Sequence, residues 1–144
     1  MKIQLSKSLV ERFSRQIILK NIGTIGQKKI LSSRVLIVGA GGLGSPAAEF
    51  LSRAGIGTIG IVDNDKVSLS NLHRQSLYLT KDIGKLKVII AKDKIKKINN
   101  NIKIKTYKVR LNNLNFEKII NNYDYIIDGS DNFKTKFLLN DFCL

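Results

Sequence analysis

A chain of 144 residues, 43% hydrophobic and 25% charged, is long enough to enclose the core of one domain. Its 25 Lys and Arg against 11 Asp and Glu give a formal net charge of +14 and a pI near 10.0, a balance that directs attention to nucleic acid or an acidic partner. No apolar run approaches the ~20 residues of a membrane span, the N-terminus lacks the apolar h-region of a signal peptide, and a single cysteine, Cys143, excludes an internal disulfide framework.

In chain order, periodicity predicts helices over Leu9–Lys20 and Thr24–Leu31, then a strand over Arg34–Val38. A helix over Ser45–Ala54 follows, with Pro46 tolerated in its first turn and Gly55-Ile56-Gly57 as its stop. A strand over Thr58–Val62 leads into a long loop, Asp63–Thr80, of the length that carries function. A helix over Lys85–Asn99 comes next, followed by a strand over Lys103–Val109 and a short helix around Phe116–Asn121. A strand over Tyr123–Asp128 and a helix from Asn132 complete the pattern. Alternating strands and helices, with no repeat or linker, predict one α/β domain over 1–144: a Rossmann-like, doubly wound, mostly parallel sheet preceded by N-terminal helices.

Within that frame the most informative run is Arg34-Val35-Leu36-Ile37-Val38-Gly39-Ala40-Gly41-Gly42-Leu43-Gly44. An apolar strand enters a glycine turn that opens a helix, and Gly39, Gly41 and Gly44 satisfy G-x-G-x-x-G. Glycine there lets phosphate oxygens approach bare backbone and aims amide N–H groups from the positive end of the helix. Asp63 lies nineteen residues past Gly44, at the end of the second strand, where a ribose-binding carboxylate belongs. A hydride-transfer site needs little further positive charge, whereas phosphate cleavage needs cations. Arg74 and Lys87 follow the acidic turn and would neutralise charge that grows as an α-phosphate is attacked and pyrophosphate leaves. Asp131, just past the strand that ends at Asp128, stands where ligands bind in such sheets and is placed to hold Mg²⁺.

The segments Arg12 to Ile17, Gly39 to Ser45, Asp63-Asn64-Asp65, Ser70 to Gln75, Gly84 to Lys87 and Asp128 to Asn132 together resemble the ThiF/MoeB/HesA adenylyltransferases, bacterial relatives of the ubiquitin-activating enzyme. The resemblance runs from about Leu9 to Cys143, six motifs in order. It implies use of Mg-ATP to adenylate the C-terminal glycine carboxylate of a ubiquitin-like sulfur carrier of the molybdopterin or thiamine pathway. It places Gly42 against the phosphates, Asp63 on the ribose, Asn71, Arg74 and Lys87 on phosphate, and Asp131 as the Mg²⁺ and carboxylate-site acid. Gly39, Gly41, Gly44, Asp65, Ser70, Leu72, His73 and Asn132 join the nucleotide-binding set on the same ground. The residue matching Arg15 reaches the other subunit's site, which implies a homodimer with an arginine finger in trans. The resemblance also implies a cytoplasmic or plastid-stromal setting. Relatives carry zinc-binding Cys-x-x-Cys pairs that this chain lacks, so it looks like their N-terminal, nucleotide-binding portion.

Plainer readings stand beside these. Asp65 and Asp128 serve equally well as caps of turns. His73, the only histidine, has no Cys or second His nearby and reads as a loop residue beside Arg74 rather than a metal ligand. Cys143, in an apolar run, reads as packing. Eleven Lys and Arg against two Asp fall between Lys81 and Arg110, yet Val88, Ala91, Ile95 and Ile98 form one apolar helical stripe that puts the lysines on the solvated side. The aromatics are not interleaved with the lysines, which counts against a single-strand nucleic-acid surface and leaves an acidic carrier protein as the partner the charge would attract. Three functions compete: carrier adenylation, carboxylate activation on tRNA threonylcarbamoyladenosine, and a noncatalytic nucleotide-binding module. An NAD dehydrogenase ranks last.

Overall fold

The computed structural model of this chain describes residues 4–143. Four parallel strands, β1 (Arg34–Val38), β2 (Thr58–Val62), β3 (Lys103–Tyr107) and β4 (Tyr125–Asp128), form one sheet in the order β3-β2-β1-β4. Val35 of β1 faces Ile59 on one side and Tyr125 on the other, so β1 is paired along both edges. Its sequence is accordingly an almost unbroken apolar run, with Val35 to Val38 all buried. The edge strand β3 reads Lys-Ile-Lys-Thr-Tyr and leaves Lys103 and Lys105 in solvent.

Helices cover both faces. Val35, Ile37, Ile59 and Ile61 pack with Ala48 of α4 (Gly44–Ala54) and Val88, Ala91 and Ile95 of α5 (Lys87–Ile98). On the other face Leu36, Val38 and Val62 meet Phe116 and Ile119 of α6 (Phe116–Ile120) and Leu139 of α7 (Phe133–Cys143). The expected doubly wound sheet is therefore present. Succession from β1 to β3 runs one way and β4 returns to the far side of β1, so the connections after β1 and β4 part over the sheet's carboxyl edge and leave a crevice there. The apolar stripe of α5 is buried at Val88, Ala91 and Ile95, while Lys92, Lys96 and Lys97 are exposed.

The expected first helix, Leu9–Lys20, is instead two short ones, α1 (Lys7–Arg12) and α2 (Ser14–Ile17), broken at Phe13 (φ −107°, ψ 15°). Tertiary packing overrides the helical periodicity: Phe13 is 1% exposed, and its ring lies so close to Gly55 that a Cβ there would collide with it. Gly55 itself closes α4 in the left-handed region at φ 90°. Gln16 Nε2 donates to Gln27 Oε1 at 2.7 Å and to the Ala54 carbonyl at 3.2 Å, tying α2 to α3 (Gly23–Ser32) and to the end of α4.

Smaller corrections have local causes. α5 starts at Lys87 rather than Lys85, because Val67 N–H donates to the Lys85 carbonyl and Lys87 N–H to the Asp65 carbonyl in a short antiparallel ladder. β4 begins at Tyr125, since Tyr123 closes a turn on Ile120. β3 ends at Tyr107, not Val109. Asn132 precedes α7 and accepts from Thr135 N–H and Oγ1, as an N-cap does. The side chain of Cys143 lies outside the described residues.

Candidate nucleotide site

The crevice at the carboxyl edge of the sheet is a cleft of about 800 Å³. Its floor is the loop after β1. Gly39 has φ 88°, and a Cβ there would stand 2.6 Å from the Gly129 carbonyl oxygen, so only glycine lets the loops after β1 and β4 approach this closely. Gly44 opens α4, and a Cβ on it would run into the Gly39 carbonyl.

The loop is held from three sides. Asp63 Oδ2 accepts the Ala40 N–H at 2.7 Å and Asp63 Oδ1 accepts the Asp65 N–H at 2.7 Å. Each carboxylate oxygen keeps a further acceptor position. The Ala40 carbonyl, turned inward, takes two hydroxyls: Tyr78 OH at 2.8 Å and Ser45 Oγ at 3.0 Å. Burial raises the Tyr78 phenol above its ordinary range, and the charge of Asp63 adds to this, so it remains a neutral donor.

Arg74 and Lys87 reach the cleft from different elements. Asn71 accepts the backbone N–H groups of Arg74 (3.2 Å) and Gln75 (3.0 Å), and this helical turn lays the Arg74 side chain over the glycine loop, with Cδ 3.5 Å from where a Cβ on Gly42 would be. Arg74 Nη1 donates to the Ser70 carbonyl at 2.9 Å. Lys87 is at the first turn of α5, its side chain 6% exposed, and Nζ donates to Asp65 Oδ2 at 3.3 Å. Between the two readings of Asp65, the structure gives a partner for Lys87 rather than a cap. Asp128, by contrast, is a turn residue. Burial pushes its carboxyl up, but donation from Ser130 Oγ (2.6 Å) and N–H (2.9 Å) and from Lys136 Nζ (3.2 Å) outweighs this and holds it below the usual carboxylate range.

Opposite the glycine loop, Asp131 and Asn132 line the cleft after β4. Asp131 is exposed, while the side-chain oxygen of Asn132 is engaged in capping α7. A glycine loop, a loop-anchored acid, two cations and a facing carboxylate thus converge at a topological switch point. A family model, that of the ThiF family, matches residues 13–144. The chain belongs to the ThiF family.

This ThiF-family chain is 42% identical over 136 residues to the sulfur carrier protein adenylyltransferase of Thermus thermophilus, covering 94% of itself and 50% of that protein. It is 49% identical over 133 residues to the probable molybdopterin-synthase adenylyltransferase of Porphyra purpurea, covering 92% of itself and 35% of the relative. The chain spans half or less of the length of these relatives. Among solved structures, Escherichia coli tRNA N6-threonylcarbamoyladenosine dehydratase, TcdA, in complex with ATP superposes with a TM-score of 0.91 at 28% identity, over 98% of this chain and 58% of that one.

Of the expected residues, Gly39, Gly41, Gly42, Asp63, Asp65, Asn71, Arg74, Lys87, Asp131 and Asn132 line one cleft of this ThiF-family fold. Five expected residues lie outside its wall. Gly44 supports it from beneath, and Leu72 packs against the core. Ser70 and His73 are exposed behind Arg74, with His73 Nε2 3.3 Å from Arg74 Nη1. Arg15 is exposed on α2, held outward between the Phe13 and Gln16 anchors. Sequence reasoning passed over Gln75, Ser45 and Tyr78. Gln75 was within reach, being one helical turn from Asn71, but the roles of Ser45 and Tyr78 depend on a carbonyl that only the folded loop turns inward.

Proposed function

We propose that this domain binds Mg-ATP and adenylates the C-terminal glycine carboxylate of a ubiquitin-like sulfur-carrier protein. The observation that carries the reading is the convergence of Arg74 and Lys87 on the glycine loop, with Asp131 across the cleft. The names of the two curated relatives and the ATP in the TcdA complex support it.

Bottom-up, the glycine loop and the N-terminus of α4 hold phosphate oxygens, while Asp63 uses its free acceptor positions on ribose hydroxyls. A carboxylate oxygen of the carrier forms a bond to the α-phosphorus as the bond to the bridging oxygen of pyrophosphate breaks and that oxygen leaves with the electron pair. Negative charge accumulates on the phosphates, and the Arg74 guanidinium and Lys87 ammonium stabilise it. Asp65 keeps the Lys87 ammonium at the cleft edge. Arg15, outside the cleft of its own chain, would act in the site of a second copy, in a homodimer.

The residues also fit a magnesium ion. Asp131 is an exposed carboxylate on the cleft wall, and no group of three or more His, Cys, Asp or Glu that would bind a metal unaided occurs among the described residues. Mg²⁺ suits such a site, because it binds through one or two carboxylates and otherwise keeps phosphate oxygens and water. When bound it would neutralise phosphate charge. No helix among the described residues is long and apolar enough to cross a membrane, and the reading places the domain in the cytoplasm or a plastid stroma.

ATP–pyrophosphate exchange by this chain, with the molybdopterin and thiamine carriers supplied separately, tests the reading. Exchange that requires one carrier supports it and names the pathway. The likeness to TcdA favours a second reading, carboxylate activation on threonylcarbamoyladenosine tRNA, and exchange that requires this tRNA and ignores both carriers would establish it instead. ATP binding without exchange on any of these would make the chain a nucleotide-binding module.

A further inference from the structure

Gln75 lies in the wall of the cleft and is 3% exposed. Its Oε1 is buried without a hydrogen-bond partner, the only such side-chain atom among the described residues. Its Nε2 lies 3.6 Å from where a Cβ on Gly41 would be, closer to the glycine loop than a side chain there would permit. The backbone around it is fixed, since Gln75 N–H donates to the Asn71 carbonyl at 3.0 Å and the Gln75 carbonyl accepts from Tyr78 N–H at 3.2 Å. Asn71, Arg74 and Gln75 stand at i, i+3 and i+4 of one turn and so present one face, and all three line the cleft.

Burying an amide whose oxygen stays unpaired is costly, and an apolar residue of the same length would fill this space without that cost. An amide in such a position is explained when a ligand completes its bonding. We propose that Gln75 is a nucleotide-contacting residue, whose carboxamide extends the glycine-loop cradle beside Gly41 and donates from Nε2 to an oxygen of the phosphate chain. Arg74 and Lys87 supply charge to the same ligand. Gln75 supplies a directional, uncharged donor held against bare backbone, which fixes where one phosphate oxygen sits without adding a counter-charge. The inference rests on the reading of the cleft as an ATP site and adds a residue to it.

Isothermal titration of ATP, and of adenosine at higher concentration, into the full chain and its Gln75→Met and Gln75→Glu variants tests this. The expected result is ATP affinity lowered ~10-fold in Gln75→Met, the worth of one hydrogen bond to a charged group, with adenosine affinity changed less than ~2-fold. Gln75→Glu keeps the shape but sets a carboxylate beside the phosphates, and should weaken ATP more than Gln75→Met does, again sparing adenosine. ATP affinity unchanged in both variants, or ATP and adenosine weakened equally, would overturn the proposal and leave Gln75 a packing residue. Should Gln75→Met fail to fold, the near-isosteric Gln75→Glu decides by the same comparison. If the unaltered chain binds no ATP, the nucleotide reading falls and this proposal with it, whereas ATP binding insensitive to Gln75 removes only the proposal.

Discussion

The inward carbonyl of Ala40 supports a quantitative prediction, because two hydroxyls from distant parts of the chain share it: Tyr78 OH at 2.8 Å and Ser45 Oγ at 3.0 Å. Tyr78→Phe or Ser45→Ala alone leaves the carbonyl with one donor, so each should cost about 1 kcal/mol, an ordinary net hydrogen bond. The double variant leaves a buried acceptor with none. Its desolvation adds ~1–2 kcal/mol, so the double should lose ~3–4 kcal/mol, more than the sum of the singles. Unfolding entropy of ~2.1 cal/mol/K per residue over 144 residues gives ~0.3 kcal/mol/K, so each single change should lower the Tm by ~3 °C and the double by ~10–13 °C. Urea unfolding followed by far-UV circular dichroism suits a chain with no tryptophan and a tyrosine among the altered residues. Additivity of the two changes to within ~0.3 kcal/mol would refute the idea that both hydroxyls serve one carbonyl.

Further predictions follow from the same geometry. Arg74→Ala and Lys87→Ala should each lower carrier-dependent pyrophosphate exchange ~10²-fold through lost stabilisation of phosphate charge, and unchanged turnover in either would remove that residue from the chemistry. Arg15→Ala subunits mixed with Asp131→Ala subunits should regain activity that neither has alone, and mixtures as inactive as their parents would argue against a finger in trans. Gly44→Ala should abolish ATP binding or folding, since the added methyl meets the Gly39 carbonyl, and normal binding and Tm in this variant would contradict that close approach. Because the folded-state pKa of Asp128 is held below its unfolded value, its interactions stabilise the fold above the ordinary carboxylate pKa of ~3.9 and are lost as pH falls through the lower folded value. Asp128→Asn should therefore lessen the loss of stability below about pH 4, and an unaltered acid limb in denaturant titrations would count against this account.

The alternation of strands and helices, the glycine loop and the spacing to Asp63 were legible in the sequence, because each depends on neighbours along the chain. A strand buried on both faces must be an apolar run, and β1 is one. A left-handed turn pressed against another backbone must be glycine, and Gly39 is that residue. Arg74 and Lys87 were legible as cations in ordered motifs, though nothing local placed them on one cleft. That placement is tertiary, coming from the turn that starts at Asn71 and from the ladder joining Asp65 and Val67 to Lys85 and Lys87. The break at Phe13 was illegible for a related reason: its local pattern is helical, and the ring leaves that pattern to fill the space over Gly55, more than forty residues away. Ser45, Gln75 and Tyr78 carry no sequence signal beyond being polar. A buried carbonyl, a bare glycine backbone and an orphaned amide oxygen give them their roles, and those exist only after the loops following β1 and β2 have folded onto each other. Sequence by itself determined which elements form and which residue types could hold phosphate; the tertiary structure decided which of them meet, because hydrogen-bond satisfaction in the interior is settled by partners distant along the chain.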